Sequence, residues 1–171
     1  MKRILQTRIL ILAMSFAIIG SGFAQKRIES SAINMEFLIP NRFMKISEDK
    51  KSTIYQDNKT KAILSMEKLG FSDFETEILL QVEMDFNDIM SDDNNIDVEE
   101  SSQLFRISSG YIIDWKTKER TRYRDNDTNR QALMQLNGTL YRFTISYPLE
   151  KRRPVLSLFN KTLNSAIPIY E

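Results

Sequence analysis

The dipeptide Asn137-Gly138 constrains the fold of this chain more than any other feature of the sequence. Asn-Gly favours a two-residue type I′ turn, because both central residues of that turn need a positive φ. Such a turn pairs the flanking residues across two antiparallel strands as Leu136 with Thr139, Met134 with Tyr141, and Ala132 with Phe143. The opposite face carries the polar residues Gln131, Gln135, Arg142, Thr144 and Ser146. The sequence therefore predicts a hairpin with one apolar face towards a core and one polar face.

Other strands are predicted before and after this hairpin. In residues 34–47, apolar residues at alternate positions are interrupted at Pro40 and Asn41, which indicates a strand, a turn and a second strand. Residues 52–69 read as a hairpin, because turn-forming residues at 57–59 separate two β-rich runs. Further strand-like runs occupy residues 103–108 and 111–123, after an acidic segment, 91–102, that is expected to be a solvated loop.

Two segments have helical periodicity instead. In the first, apolar residues recur at intervals of three or four, and Ser72 with Glu75 forms a capping box. Its apolar positions are Phe74, Ile78, Val82, Phe86, Ile89 and Met90. The second covers residues 151–166, with Pro154 in its first turn, where proline is tolerated. Its apolar stripe is Val155, Leu158, Phe159, Leu163 and Ala166.

The order of these elements predicts an α+β fold, with a mainly antiparallel sheet covered by two helices in a single-domain α/β/α sandwich. This order, together with the pattern Phe37-x-Ile39-Pro40-x-x-Phe43, resembles the PsbP/Mog1-like α/β/α sandwich family over roughly residues 33–167. The resemblance implies an assembly or interaction protein. Because members of that family share no catalytic set, it assigns no catalytic residue to this chain.

The N-terminus has the pattern of a secretory signal peptide over residues 1–24. Basic residues are followed by an apolar run, Ile9 to Ile19, and then by small residues including Gly22 and Ala24, which places cleavage before Gln25. The alternative is an uncleaved anchor, but the run is well short of the ~20 apolar residues that span a bilayer. We therefore expect an exported protein, periplasmic or secreted, with no membrane span after cleavage. Residues 25–32 read as a loose polar leader and 33–171 as one domain.

The mature composition narrows the possible functions. Cleavage leaves 147 residues with 21 basic and 23 acidic side chains, and this nearly neutral balance argues against nucleic-acid binding. The chain contains no cysteine and no histidine. Disulfides, thiol catalysis, Ser-His catalysis and imidazole metal sites are therefore excluded. The sequence predicts no catalytic residue, no metal site and no cofactor.

A stripe of basic residues is the candidate binding site that the sequence offers. Lys116, Lys118, Arg120, Arg122 and Arg124 stand at alternate positions, so a β-strand would place them on one face. Charge on an exposed strand also prevents edge-to-edge aggregation, and we favour that interpretation. The alternative is a site for an anionic partner: a phosphorylated lipid headgroup, an acidic polysaccharide or an acidic protein surface.

These observations lead to one main hypothesis and two alternatives. The main one is a non-enzymatic, exported interaction or assembly accessory protein of the cell envelope, with an unidentified envelope protein as its partner. The first alternative is a carrier of a small ligand or anionic polymer, bound through the sheet surface or the basic strand. The second is an enzyme that uses Asp, Glu, Ser, Lys and Tyr alone.

Overall fold

A computed structural model describes residues 24–71, 75–104, 109–118 and 127–169 of the chain. Within these ranges the strands are β1 (Gln25–Ser30), β2 (Met35–Pro40), β3 (Phe43–Glu48), β4 (Ser52–Asp57), β5 (Ile63–Phe71), β6 (Asn95–Leu104), β7 (Ser109–Thr117), β8 (Thr128–Leu136), β9 (Thr139–Tyr147) and β10 (Ile167–Pro168). The helices are α1 (Glu75–Ser91) and α2 (Arg152–Ser165), and a 3-10 turn, Leu149–Lys151, leads into α2.

The strands of the described ranges form two sheets. The larger has seven strands in the order β3-β4-β5-β9-β8-β7-β6, and every neighbouring pair is antiparallel. The smaller has the order β1-β2-β10 and is also antiparallel. Helix α1 lies on one face of the large sheet, whereas α2 and the small sheet lie on the other. The predicted α+β sandwich with two helices is confirmed.

The β8–β9 hairpin has the predicted register. Leu136 lies opposite Thr139, and the predicted Met134–Tyr141 and Ala132–Phe143 pairs follow along the strands. At the turn φ is 50° for Asn137 and 74° for Gly138, as a type I′ turn requires. Local turn chemistry is therefore enough to set this register.

The first part of the chain agrees with the prediction in its elements but not in all of its pairing. The hairpin predicted in residues 52–69 is confirmed as β4–β5. Strands β2 and β3 flank the predicted turn at Pro40 and Asn41, but β2 joins the small sheet and β3 the large one. The turn thus carries the chain from one layer of the sandwich to another.

The prediction of a loose polar leader at residues 25–32 is wrong, because Gln25–Ser30 forms strand β1. It pairs with β2 along its whole length, from Gln25 opposite Pro40 to Ser30 opposite Met35. This strand is an edge, so its outward side chains are polar, and Ile28 packs against the core from the inner side. Residues 1–23 lie outside the described residues, so the signal peptide stays a prediction.

The main core lies between the large sheet, α2 and the small sheet. Every residue of the predicted α2 stripe is buried there, and Pro154 falls in the first turn of the helix as expected. The Thr162 hydroxyl donates to the Leu38 carbonyl at 3.0 Å, and the Leu38 amide donates to Ser165 Oγ at 2.9 Å. These bonds join α2 to β2.

Helix α1 covers the opposite face with a smaller contact. Ile78 and Val82 are buried against Leu133 and Leu140, with Leu69 and Tyr111 at the margin. Of the other predicted core positions, Phe86 and Ile89 are only half-buried and Met90 is exposed. Phe74 lies outside the described residues, as does Ser72 of the predicted capping box. In the described residues, no helix is both long and apolar enough to cross a membrane.

The acidic segment is not a loop over its whole length. Residues from Asn95 onwards form β6, the last strand of the large sheet, with a bulge between Ile96 and Glu99. An edge strand with an exposed side tolerates carboxylates, which explains why its composition resembled a loop. Of the strand-like runs predicted at 103–108 and 111–123, the first belongs to β6 as far as Leu104 and the second to β7 as far as Thr117. Residues 105–108 and 119–126 lie outside the described residues.

Candidate functional site

Helix α1 exposes large apolar side chains beside a groove in the sheet. Leu80 and Met84 are 57% and 52% exposed, although residues of this type are usually buried. They stand four residues apart and therefore on one side of the helix. Together with residues of β5 and β9 they line a cavity of about 210 Å³, which we call the α1 groove. Its lining residues are Leu69, Gly70, Glu77, Leu80, Gln81, Met84 and Leu140.

The groove opens where β5 departs from regular pairing. The register of β5 against β9 shifts between Lys68 and Gly70, which is a β-bulge. Gly70 has φ +147°, and no atom lies within 4 Å of the position that a Cβ would take. Glycine is therefore favoured here by the backbone conformation rather than by lack of space. The bulge lies at the edge of the α1 groove, which Leu69 and Gly70 both line.

The helix that lines the α1 groove belongs to a strongly acidic segment of the chain. From residue 71 to residue 105 the sequence has eleven Asp or Glu residues and no Lys or Arg. This segment contains all of α1 and β6. Counting charge by segment would have revealed this asymmetry from the sequence, because the nearly neutral total conceals it.

A buried polar network fixes α1 on the sheet. The Asp85 carboxylate is 5% exposed and accepts hydrogen bonds from Arg142 Nη2 at 2.5 Å and Nε at 2.9 Å. It also accepts from Gln131 Nε2 at 2.5 Å and from Gln81 Nε2 at 2.7 Å. Arg142 Nη1 donates to Glu67 Oε2 at 2.8 Å. The polar face predicted for the hairpin is thus confirmed in register, but α1 covers part of it.

The network also keeps Arg142 charged. Burial alone lowers the pKa of its guanidinium, but the hydrogen bonds and charges of Asp85 and Glu67 outweigh that effect and raise the pKa above its ordinary value. A charged, bidentate arginine holds a carboxylate in one geometry. Asp85, and with it the Leu80 and Met84 side of α1, is therefore held at a fixed position over β8 and β9.

The structure places the first two residues of the basic stripe beside the acidic segment. Lys116 Nζ lies 2.6 Å from Asp97 Oδ2, and Lys118 Nζ donates to the Asp93 carbonyl at 2.8 Å. Arg120, Arg122 and Arg124 lie outside the described residues. Among the described residues, no group of three or more acidic side chains is placed to hold a metal ion.

Solved structures share this arrangement of strands and helices. The cyanobacterial PsbP of Synechocystis superposes with a TM-score of 0.58 at 16% identity, covering 88% of this chain and 96% of that chain. The Saccharomyces cerevisiae Ran-binding protein Mog1p superposes with a TM-score of 0.58 at 12% identity, covering 86% and 97%. The chain has the PsbP/Mog1-like fold.

These similarities lie in structure and not in sequence. No protein-family model matches the sequence, and no curated protein matches it. The expectation from element order is confirmed for the fold of this PsbP/Mog1-like domain. Its α1 groove and the acidic segment that contains α1 are features of its own residues and must be interpreted from them.

Proposed function

We propose that this PsbP/Mog1-like domain is an exported, non-enzymatic accessory protein of the cell envelope that binds a protein partner through the α1 groove. The observation that carries the proposal is the pair Leu80 and Met84, which are half-exposed and line the α1 groove. Exposed apolar surface rimmed by polar residues is typical of protein interaction sites. Mog1p, which has the same fold, is a Ran-binding protein, so the fold is compatible with this role.

The chemistry of the groove indicates what the partner presents. A cavity of about 210 Å³ is smaller than the ~300–1,000 Å³ of most small-molecule pockets, so it suits an inserted apolar side chain better than a cofactor. Glu77 in the wall and the other carboxylates of the acidic segment that contains α1 favour basic residues next to that side chain. We therefore expect a partner segment with an apolar anchor flanked by Lys or Arg.

Capture from an envelope extract tests the groove. The double variant Leu80→Ser, Met84→Ser removes the exposed apolar side chains of the groove. The matched control is Met44→Ser, Ile46→Ser, because Met44 and Ile46 are similarly exposed, at 56% and 55%, on β3. We expect the control to capture the same proteins as the wild type, and the groove variant to bind the main partner at least tenfold more weakly. A tenfold loss corresponds to about 1.4 kcal/mol, which is more than truncation of most interface residues costs.

Two results would contradict the groove as the binding site, and a third would contradict the basic partner segment. Equal capture by the groove variant would exclude the groove as the site. Equal loss in both double variants would mean that any exposed apolar surface causes the capture. Binding that becomes stronger as salt is raised would argue against the proposed basic segment, because exposed charge pairs are screened by salt.

Export is proposed from the N-terminal pattern of residues 1–24. Cleavage before Gln25 would leave β1 complete, since that strand starts at Gln25. Intact mass of the protein from the envelope or medium is expected to correspond to a chain that begins at Gln25. A chain that retains Met1 and stays in the membrane fraction would refute the proposal.

A further inference from the structure

A second cavity lies on the other side of the molecule, between the β4–β5 turn and the start of α2. Its volume is about 670 Å³. Its lining residues are Arg42, Lys59, Thr60, Lys151, Arg153, Pro154, Ser157 and Leu158. Four of these are basic, two carry hydroxyls, two are apolar and none is acidic. We infer that this basic cavity binds a small organic molecule that carries a phosphate group, a role beyond the proposed protein binding.

The β4–β5 turn holds one wall of the basic cavity in place. Arg42 Nε lies 2.7 Å from Asp57 Oδ2, and the Asp57 side chain is fully buried. The same carboxylate accepts from the Thr60 hydroxyl at 2.6 Å and from the Lys59 amide at 2.9 Å. Among the described residues Arg42 binds Asp57 through Nε alone, so its two terminal nitrogens remain available to a ligand. A preorganised arginine fork is well suited to phosphate oxygens.

The charges of the other three basic residues of the cavity are not balanced by ion pairs within the described part of the chain. Asp57 offsets the charge of Arg42, but within the described part of the chain Lys59, Lys151 and Arg153 form no ion pair with an acidic side chain. Three like charges around one cavity repel each other and attract anions. A phosphate monoester, which carries nearly two negative charges at neutral pH, matches this excess better than a single carboxylate.

The stability of α2 does not explain these basic residues. The positive end of a helix dipole favours acidic residues in the first turn and disfavours basic ones. The first turn of α2 has no acidic residue, and Lys151 and Arg153, which both line the basic cavity, stand at its start. Their position is unfavourable for the helix alone and becomes favourable when an anion occupies the cavity.

The size and apolar part of the wall indicate an organic ligand. A volume of about 670 Å³ exceeds what a bare oxyanion needs and lies inside the ~300–1,000 Å³ of small-molecule pockets. Pro154 and Leu158 give the cavity an apolar side, to which the aliphatic stems of lysine and arginine add. The phosphate can belong to a soluble phosphomonoester or to a lipid headgroup, which carry the same group.

The test is a titration of the mature protein, residues 25–171, with three probes. The probes are inorganic phosphate, glycerol 3-phosphate, and phosphatidylcholine vesicles with and without phosphatidic acid. We expect saturable binding of glycerol 3-phosphate by calorimetry, tighter than that of inorganic phosphate, with NMR shifts at Lys59 and Ser157. Binding confined to phosphatidic acid vesicles would identify a lipid headgroup as the source, and binding confined to the soluble ester a metabolite.

Matched charge variants decide whether the basic cavity is the site. The double variant Lys59→Gln, Arg153→Gln should weaken binding at least tenfold. The control is the double variant Lys50→Gln, Lys51→Gln, which removes the same charge at an exposed turn outside the cavity. It should leave binding unchanged. Thermal unfolding checks that both variants are folded. Equal weakening in both variants would show non-specific attraction and would overturn the inference. The inference would also be overturned if no phosphate probe bound saturably at concentrations up to about 10 mM.

Discussion

Replacing Asp85 with alanine is the sharpest test of how α1 is held on the sheet. Its carboxylate accepts two hydrogen bonds from Arg142, one from Gln131 and one from Gln81. Alanine removes all four at once without adding bulk. The substitution therefore leaves a largely buried guanidinium and a buried amide without their main acceptor.

The expected loss follows from how well each abandoned group can reach water. Breaking a buried ion pair from one side costs ~3–5 kcal/mol. The Arg142 side chain is 25% exposed and keeps Glu67 at 2.8 Å, which reduces its share of the cost. Gln131 is 6% exposed, and an unsatisfied buried amide adds ~1–3 kcal/mol. Together these effects predict that Asp85→Ala lowers the free energy of unfolding by about 3 kcal/mol.

Urea denaturation followed by circular dichroism measures this loss. Asp88→Ala is the matched control, because Asp88 is an exposed carboxylate one turn further along α1, and its effect should stay within ~0.5 kcal/mol. The triple variant Asp85→Leu, Gln131→Leu and Arg142→Met removes the buried carboxylate, amide and guanidinium together. It should recover most of the stability, because replacing a whole buried ion pair by apolar groups is often nearly neutral. A loss below about 1 kcal/mol for Asp85→Ala would refute the claim that this network anchors the helix.

Three further predictions concern the core, the turn and the stripe. Phe159→Ala should lower the free energy of unfolding by ~3–5 kcal/mol in urea, because its ring is buried in the main core; a loss under ~1 kcal/mol would contradict that packing. Gly138→Val should cost ~1–3 kcal/mol in thermal or urea unfolding, because φ is +74° there; an unchanged midpoint would argue against the type I′ turn. Changing Lys118, Arg120 and Arg122 to Glu should leave partner capture at low salt unchanged if the stripe serves solubility, whereas loss of capture would assign it to binding.

The parts of the fold that the sequence predicts well are those fixed by neighbours along the chain. The register of β8–β9 depends on the turn chemistry of Asn137-Gly138, and the buried stripe of α2 depends on a 3.6-residue period. Local patterns do not predict strand β1, because an edge strand with one solvent-exposed side has the composition of a leader. The same holds for strand β6, since carboxylates on an exposed edge show no apolar alternation.

The candidate sites could not be located from local patterns, because each brings together residues that are far apart in sequence. Asp85 meets Gln131 and Arg142 at separations of 46 and 57 residues, so nothing near the hairpin shows that its polar face is covered. Leu69 and Leu140 reach the α1 groove only because β5 and β9 are neighbours in the sheet.

The same reasoning applies to charge. The chain as a whole is nearly neutral, but the large sheet separates the acidic helix α1 from a basic cavity at the start of α2. Mixed surface charge would suffice for solubility alone, so segregation on this scale favours recognition of charged partners. Because the α1 groove rests on the Asp85 network and the basic cavity rests on the Asp57 turn, the two sites have separate supports. A change that loosens one should therefore leave the geometry of the other intact.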